Sequence, residues 1–411
     1  MRTFSTLSAA LLALGLGSGV ASANAFLLAI HDAKAMGRGN AAGATDTDPS
    51  SITYNIGGLA ADSGTNVMIG GAMVIPSSTY TDTSGTKTDT ESEHPIVPHF
   101  FMTSKLTDMV AVGLGFHAPF GLEIEWPDSS PANDVTKYQS LRTYFITPSV
   151  GLDLNKFVPG LTVGAGLDLV PATVELRQYI FFGETRGEAR LGGDAFGIGG
   201  RIGAMFRPPS VPQLSVGAMW RSQVNEDFSG KGDFDIAAPY RDQLPPDGDI
   251  STSVKIPQSV NIAVAVRPVE NLEIEADGLW VNWSKFKEIR IHLPDMTDTV
   301  SPQNYDDTFT LSLGAEYKLP AYNAAIRAGY IYDPTPIPAS SLTVQLPDAN
   351  RHDLTLGGSY SFGNYDVHLG FLWVLPQSRK TSDDLYMPIH KGTYDIQAFV
   401  TTITLGGHFG R

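Results

Sequence analysis

The chain has 411 residues, with 42 glycines, 15 tyrosines and 20 phenylalanines, no cysteine, and 43 acidic against 28 basic side chains. The absence of cysteine removes thiol catalysis, disulfides and cysteine-ligated metals, and a net charge of -15 argues against a broad nucleic-acid surface. No stretch beyond the N-terminus supplies the roughly 20 mostly apolar residues of a helical membrane span. A transmembrane barrel stays open, because only alternate side chains of its strands meet lipid.

Arg2 followed by an apolar run from Leu7 to Val20 and then Ala21-Ser22-Ala23 reads as a signal peptide over residues 1–23. Cleavage falls after Ala23, or after Ala25 at the overlapping Ala23-Asn24-Ala25. The alternative is a first membrane helix, for which the run is short. The exported remainder is either soluble or a barrel. Residues 24–62 are rich in Ala, Gly, Asp, Asn and Ser and lack strand alternation. One or two helical turns are expected over His31 to Met36, stopped by Gly37-Arg38-Gly39-Asn40. We read this segment as a compact plug inside a larger shell; a flexible leader is the alternative.

From about residue 66 the period changes to two, and we assign a barrel domain to residues 63–411. Val367, Leu369, Phe371, Trp373 and Leu375 share one face of a strand. In residues 271–281 three carboxylates, Glu273, Glu275 and Asp277, share a face, which excludes lipid or a dry core there. A wet lumen fits, as does the solvent face of a sandwich. The last alternation runs to Phe409, where a barrel needs its closing strand. About fourteen strands are expected. Residues 156–160 and 269–271 read as tight turns, and long polar loops are expected at 77–94, 127–139, 226–250 and 293–307.

Enzyme chemistry is not legible. The chain has no phosphate loop, no Gly-x-Ser-x-Gly elbow and no His-Glu-x-x-His pair, and its nine histidines are scattered. The acidic pairs Asp46/Asp48 and Asp306/Asp307 could hold calcium, but solvated carboxylates are the simpler account. We expect no enzyme, no metal and no cofactor.

Several segments resemble one family. Ala25-Phe26 with Ala35-Met36-Gly37-Arg38-Gly39 is similar to the opening of the outer-membrane long-chain fatty acid and aromatic-hydrocarbon transporters, the FadL/TodX family. Asn55 stands where that family has Asn-Pro-Ala, with Ile56 and Gly57 replacing the last two residues. Phe116-His117-Ala118-Pro119-Phe120-Gly121-Leu122 resembles its inwardly kinked strand. Trp283-Ser284-Lys285-Phe286, Tyr332-Asp333-Pro334-Thr335-Pro336 and Leu346-Pro347-Asp348-Ala349-Asn350-Arg351 resemble later family segments in matching order.

The resemblance implies an all-β transmembrane fold: a fourteen-stranded antiparallel barrel with an N-terminal hatch, in the outer membrane of a Gram-negative bacterium. It implies passive uptake of long-chain fatty acids, with neutral aromatic or aliphatic hydrocarbons as the alternative. A barrel enzyme and an adhesive barrel are the competing classes. Gly37, Arg38 and Asn55 are the expected structural residues of the hatch. His117, Pro119 and Gly121 mark a lateral opening, since proline cannot donate to a ladder and glycine leaves the wall thin. Phe116 or Phe120 would meet the ligand there. Arg177, Lys285, Lys287 and Arg290 are the candidate partners for a carboxylate, although Asp306 stands where a fatty-acid carrier of this family can have a basic residue. The expected partners are the apolar substrate, outer-membrane lipid and lipopolysaccharide, and the barrel-assembly machinery, which would read Phe409. No nucleic acid is expected, and the barrel is read as a monomer.

Overall fold

Alternating side chains become the two faces of a closed wall. The computed structural model describes residues 24–28, 30–91, 94–293, 297–383 and 390–410; the signal-peptide reading over 1–23 lies outside these. Fourteen antiparallel staves form the barrel. The first two are β1 (Thr65–Asp82) and β2 (Ile96–Lys105). Next come β3, in two pieces (Val110–His117 and Gly121–Glu125), and β4, also in two (Tyr138–Thr143 and Phe145–Asp153). The long hairpin β5 (Leu161–Phe182) and β6 (Thr185–Phe206) follows. Then β7 (Leu214–Arg221, Val224–Asp235), β8 (Gly248–Ile256, Ser259–Val269), β9 (Leu272–Val281, Glu288–His292) and β10 (Thr299–Pro302, Thr308–Leu319) are each interrupted once. The last are β11 (Ala324–Asp333), β12 (Arg351–Phe362), β13 (Tyr365–Lys380) and β14 (Gly392–Phe409).

β1 pairs with β14 from Thr65↔Phe409 to Asp82↔Gly392, so no sheet edge remains at the closure. A span through hydrocarbon requires this, because an unpaired edge there leaves its backbone groups unsatisfied. Ile262, Leu311, Leu356, Leu369 and Ile403 stand exposed on the outer face and make the lipid band. Tyr322, Tyr360, Phe362, Tyr365 and Phe409 are exposed at the short-turn end, as an interfacial aromatic girdle would be.

Three of the long polar loops expected from sequence are shorter than that reading. Strand structure continues to Asp82 and resumes at Lys87–Asp89, β7 continues to Asp235, and Thr299–Pro302 is strand. Hairpins that rise above the lipid keep their ladder but lose apolar alternation, so hydrophobic period marks only the embedded part of each stave.

Residues 24–62 pack against the inner faces of the wall. Asp32 caps the turn Ala33–Met36 by accepting from the Lys34 and Ala35 amides. Further short helices span Ser51–Tyr54 and Ile56–Ala60. Gly37 lies against β12: a Cβ on it would stand 2.7 Å from Gly357 Cα, so only glycine lets the two backbones approach. The acidic face of β9 receives the hatch. Arg38 pairs with Glu273 at 3.0 Å and Glu275 at 3.7 Å, and Arg267 also pairs with Glu273 at 2.8 Å. The Ala44 amide donates to Glu275 at 2.5 Å and the Gly43 amide to Asp277 at 2.9 Å. This face is thus a docking strip for the plug rather than only a wet wall.

Asn55 donates to the Gly43 carbonyl at 2.6 Å and the Ala204 carbonyl at 2.9 Å, and accepts from the Gly57 amide at 2.9 Å. One side chain therefore ties two hatch turns to β6. Asn55→Ala should destabilise hatch docking by about 1–3 kcal/mol, the range for orphaning buried partners. Hydrogen exchange at the Gly57 amide should rise while heat-modifiable gel mobility persists. Unchanged exchange would remove Asn55 from this role.

Candidate functional site

β3 bends inward at Ala118-Pro119-Phe120, between its two pieces. Its ladder to β2 ends at Phe100↔Phe116, so residues 96–99 of β2 have no ladder partner on that side. The groups freed by the bend are met from inside. The Leu28 amide donates to the Pro119 carbonyl at 2.8 Å, and the Gly121 amide donates to the Phe26 carbonyl at 3.0 Å. The first described residues thus act as a short inner strand against the kink, joined at Leu27↔Phe120. A cavity of about 90 Å³ lies at the gap, bordered by Leu28, Val74, Ile96, Pro98, Gly121 and Tyr144.

A larger cavity, about 140 Å³, lies in the lumen. Leu27, Leu28, Ile30, Val74, Leu279, Ile331, Leu372, Val374 and Val400 give it apolar walls. Leu28 and Val74 border both spaces, so the cavity and the wall gap are neighbours across two aliphatic side chains. Beside them Phe26 sits in an aromatic cluster, with ring centroids 4.8 Å from Trp283, 5.7 Å from Phe286 and 5.9 Å from Phe120. The Trp283-Ser284-Lys285 turn interrupts β9 and carries Trp283 into this cluster. Trp283 Nε1 donates to Asn24 Oδ1, as does Thr308 Oγ1 at 2.8 Å, so the start of the described chain is pinned against the cavity.

The charges at the cavity differ in their pairing. Arg351 pairs with Asp333 at 2.9 Å and Asp353 at 3.5 Å. Arg221 is buried with its guanidinium 4.6 Å from the Phe120 ring centroid and 5.8 Å from that of Phe145. Among the described residues no carboxylate lies within ion-pair distance of it. In the loop beyond β11, Asp348 accepts from Thr335 Oγ1 at 2.5 Å and from the Ala25 amide at 3.4 Å. Burial pushes its carboxyl up to about 7, against the pull of Thr335, Arg351 and Arg379. His31 in the hatch also lines the cavity, and burial drives it down to about 3, helped by Arg221 and Arg201.

Phe120, His117, Pro119 and Gly121 all belong to the kink, and Phe120 and His117 are buried in the lumen. Of the other ligand candidates from sequence, Phe116 stands beside the wall gap, and the four cations lie away from the central cavity. Phe116 shares the outward face of β3 with Val112 and Leu114 and stacks on Tyr144 at 5.6 Å. Arg177 takes an outward position on β5 and is held by Glu175 at 2.5 Å. Lys285 and Lys287 are exposed, and Arg290 pairs with Glu288 and Asp298. A local basic motif does not set side-chain parity, and parity decides which of these reach the lumen. Arg221 was missed. The signal was its place at the end of the inward set Ser215, Gly217, Met219, Arg221, where a basic residue must point inside.

Among the described residues, no group of three or more His, Asp or Glu is arranged to hold a metal. A profile described as outer membrane protein transport protein (OMPP1/FadL/TodX) matches residues 14–408. The fold is similar to the crystal structure of a Pseudomonas aeruginosa FadL homologue, with a TM-score of 0.83 at 18% identity, covering 94% of this chain and 100% of the other. It is also similar to the Ralstonia pickettii toluene transporter TbuX, with a TM-score of 0.73 at 18% identity over 92% and 98% of the two chains. The long-chain fatty acid transport protein of Salmonella typhi is 22% identical over 321 residues, 71% of this chain and 72% of that protein. This outer-membrane barrel therefore belongs to the OMPP1/FadL/TodX family of outer membrane transport proteins.

Proposed function

We propose that the chain is a passive outer-membrane channel for hydrophobic small molecules, neutral aromatic and aliphatic hydrocarbons first among them. The observation that carries this reading is the apolar cavity bordering the wall gap across Leu28 and Val74. A molecule displacing those side chains would reach the bilayer at His117 to Gly121 without crossing a wet lumen. Each methylene kept out of water on that path favours it by roughly 0.8 kcal/mol. The similarity to a toluene transporter supports neutral substrates, and the four cations expected to serve a carboxylate face away from the cavity. Residues 24–62 would form the hatch and 63–411 the barrel, with Phe409 as the recognition point for assembly.

Long-chain fatty acids are the second reading, and Arg221 favours it: a buried cation without a carboxylate can receive one from a ligand. Uptake of labelled toluene and labelled oleate by cells bearing the protein separates the two. Saturable toluene uptake is expected; uptake equal to cells lacking the protein would sink the channel reading. If oleate is also carried, Arg221→Gln should reduce its uptake about tenfold or more while sparing toluene, since only oleate has a charge to lose. Equal oleate uptake by the variant would exclude Arg221 as its receptor.

A further inference from the structure

The wall has another irregularity, between β6 and β7. Their ladder holds from Val216↔Phe206 to Arg221↔Arg201 and again from Ser229↔Asp194 to Asp235↔Glu188. Between these stretches Ser222 bonds Gly200, and residues 195–199 and 223–228 have no ladder pairs with each other. β7 has one extra residue here, which turns Val224, Glu226 and Phe228 inward where Arg221 was inward before.

Glu226 is fully buried, and neither of its carboxylate oxygens has a hydrogen-bond partner among the described residues. It lies over the backbone of β6: a Cβ on Gly197 would stand 2.5 Å from Glu226 Oε1. Its inward neighbours on β7 are Val224 and Phe228 and its ladder partner on β8 is Val254, all three in the apolar core. Phe228, the next inward residue on β7, borders a narrow apolar pocket with Leu176, Leu191 and Ile291. An unpaired carboxylate among aliphatic groups is costly, and a cation bearing N–H donors removes that cost. Glu226 and Phe228 are successive inward residues of β7, so the carboxylate stands one inward position from the pocket that Phe228 borders.

We propose that Glu226 and the Phe228 pocket form a binding site for hydrophobic amines, with the ammonium head on Glu226 and the hydrocarbon tail against Phe228, Leu191 and Ile291. The site lies on the β7 stretch between Arg221 and the Asp235 end, apart from the central cavity. The Glu226 carboxylate attracts an ammonium head, and a neutral molecule of the same shape forgoes that charge-assisted bond. This inference does not depend on which molecules the central cavity admits.

The test is equilibrium binding of octylamine, 1-octanol and octanoate to the purified full-length protein in detergent. Octylamine should bind, and Glu226→Gln should weaken it about tenfold or more while leaving toluene uptake by cells unchanged. Phe228→Ala should weaken octylamine more than ethylamine. Should Glu226→Gln fail to show heat-modifiable mobility, Glu226→Asp keeps the charge but retracts it, and intermediate weakening is expected. Equal octylamine affinity in wild type and Glu226→Gln, or equal affinity of wild type for octylamine and 1-octanol, would overturn the proposal.

Discussion

Replacing Arg38 by methionine should release the hatch from β9 and raise the leak of the barrel. Arg38 is buried and answers two carboxylates, Glu273 and Glu275, while its Nη2 also donates to Thr45 at 2.8 Å. Removing one member of such a buried group leaves the others uncompensated, which costs about 3–5 kcal/mol. Arg267 still pairs with Glu273, so the loss falls mainly on Glu275, whose other partners are the Ala44 amide and Thr45 of the hatch itself. Cells carrying Arg38→Met should become sensitive to large antibiotics, and single-channel conductance should rise. Combining Arg38→Met with Glu275→Gln should restore part of the docking, because the orphaned charge is gone. A variant with unchanged conductance would mean that other contacts hold the hatch.

Replacing Gly121 by phenylalanine should close the wall gap. A Cβ at Gly121 would stand 3.2 Å from Leu28 Cδ1 and 3.4 Å from the Leu141 carbonyl, so a ring beyond it must occupy the space that Leu28, Ile96 and Tyr144 now border. The Gly121 amide still donates to Phe26, so the inner strand at the kink keeps its bond. Toluene uptake should fall about tenfold or more, by loss of an oriented passage rather than of binding. Affinity for the central cavity, measured on purified protein, should stay close to wild type. Undiminished uptake by correctly inserted Gly121→Phe would place the exit elsewhere.

The barrel was legible because each embedded stave alternates with period two, as Val367 to Leu375 does, and because the final alternation reaches Phe409. The kink was legible for a local reason: Pro119 cannot donate to a ladder, and Gly121 two residues on adds no side chain to the wall. The cavity was not. Asn24, Val74, Arg221 and Val400 come together only when the sheet closes, and no local pattern encodes that meeting. The charged candidates lie away from the cavity for the same cause. Lys285 and Lys287 flank Phe286, which points into the aromatic cluster, so both necessarily point out. The acidic face of β9 was read as a wet lumen because its partners, Arg38 and the amides of residues 43 and 44, lie more than two hundred residues away in sequence.

On the proposed route a hydrophobic molecule rests in the lumen cavity and leaves through the neighbouring gap in the wall. Soaking crystals of the protein with 4-bromotoluene and locating bromine by anomalous scattering tests it most directly. The expected result is one bromine position among Leu27, Ile30, Leu372 and Val400, and a second, weaker one beside Ile96 and Tyr144. Bromine bound only on the outer surface, with the cavity free of it in crystals that diffract well, would contradict the account.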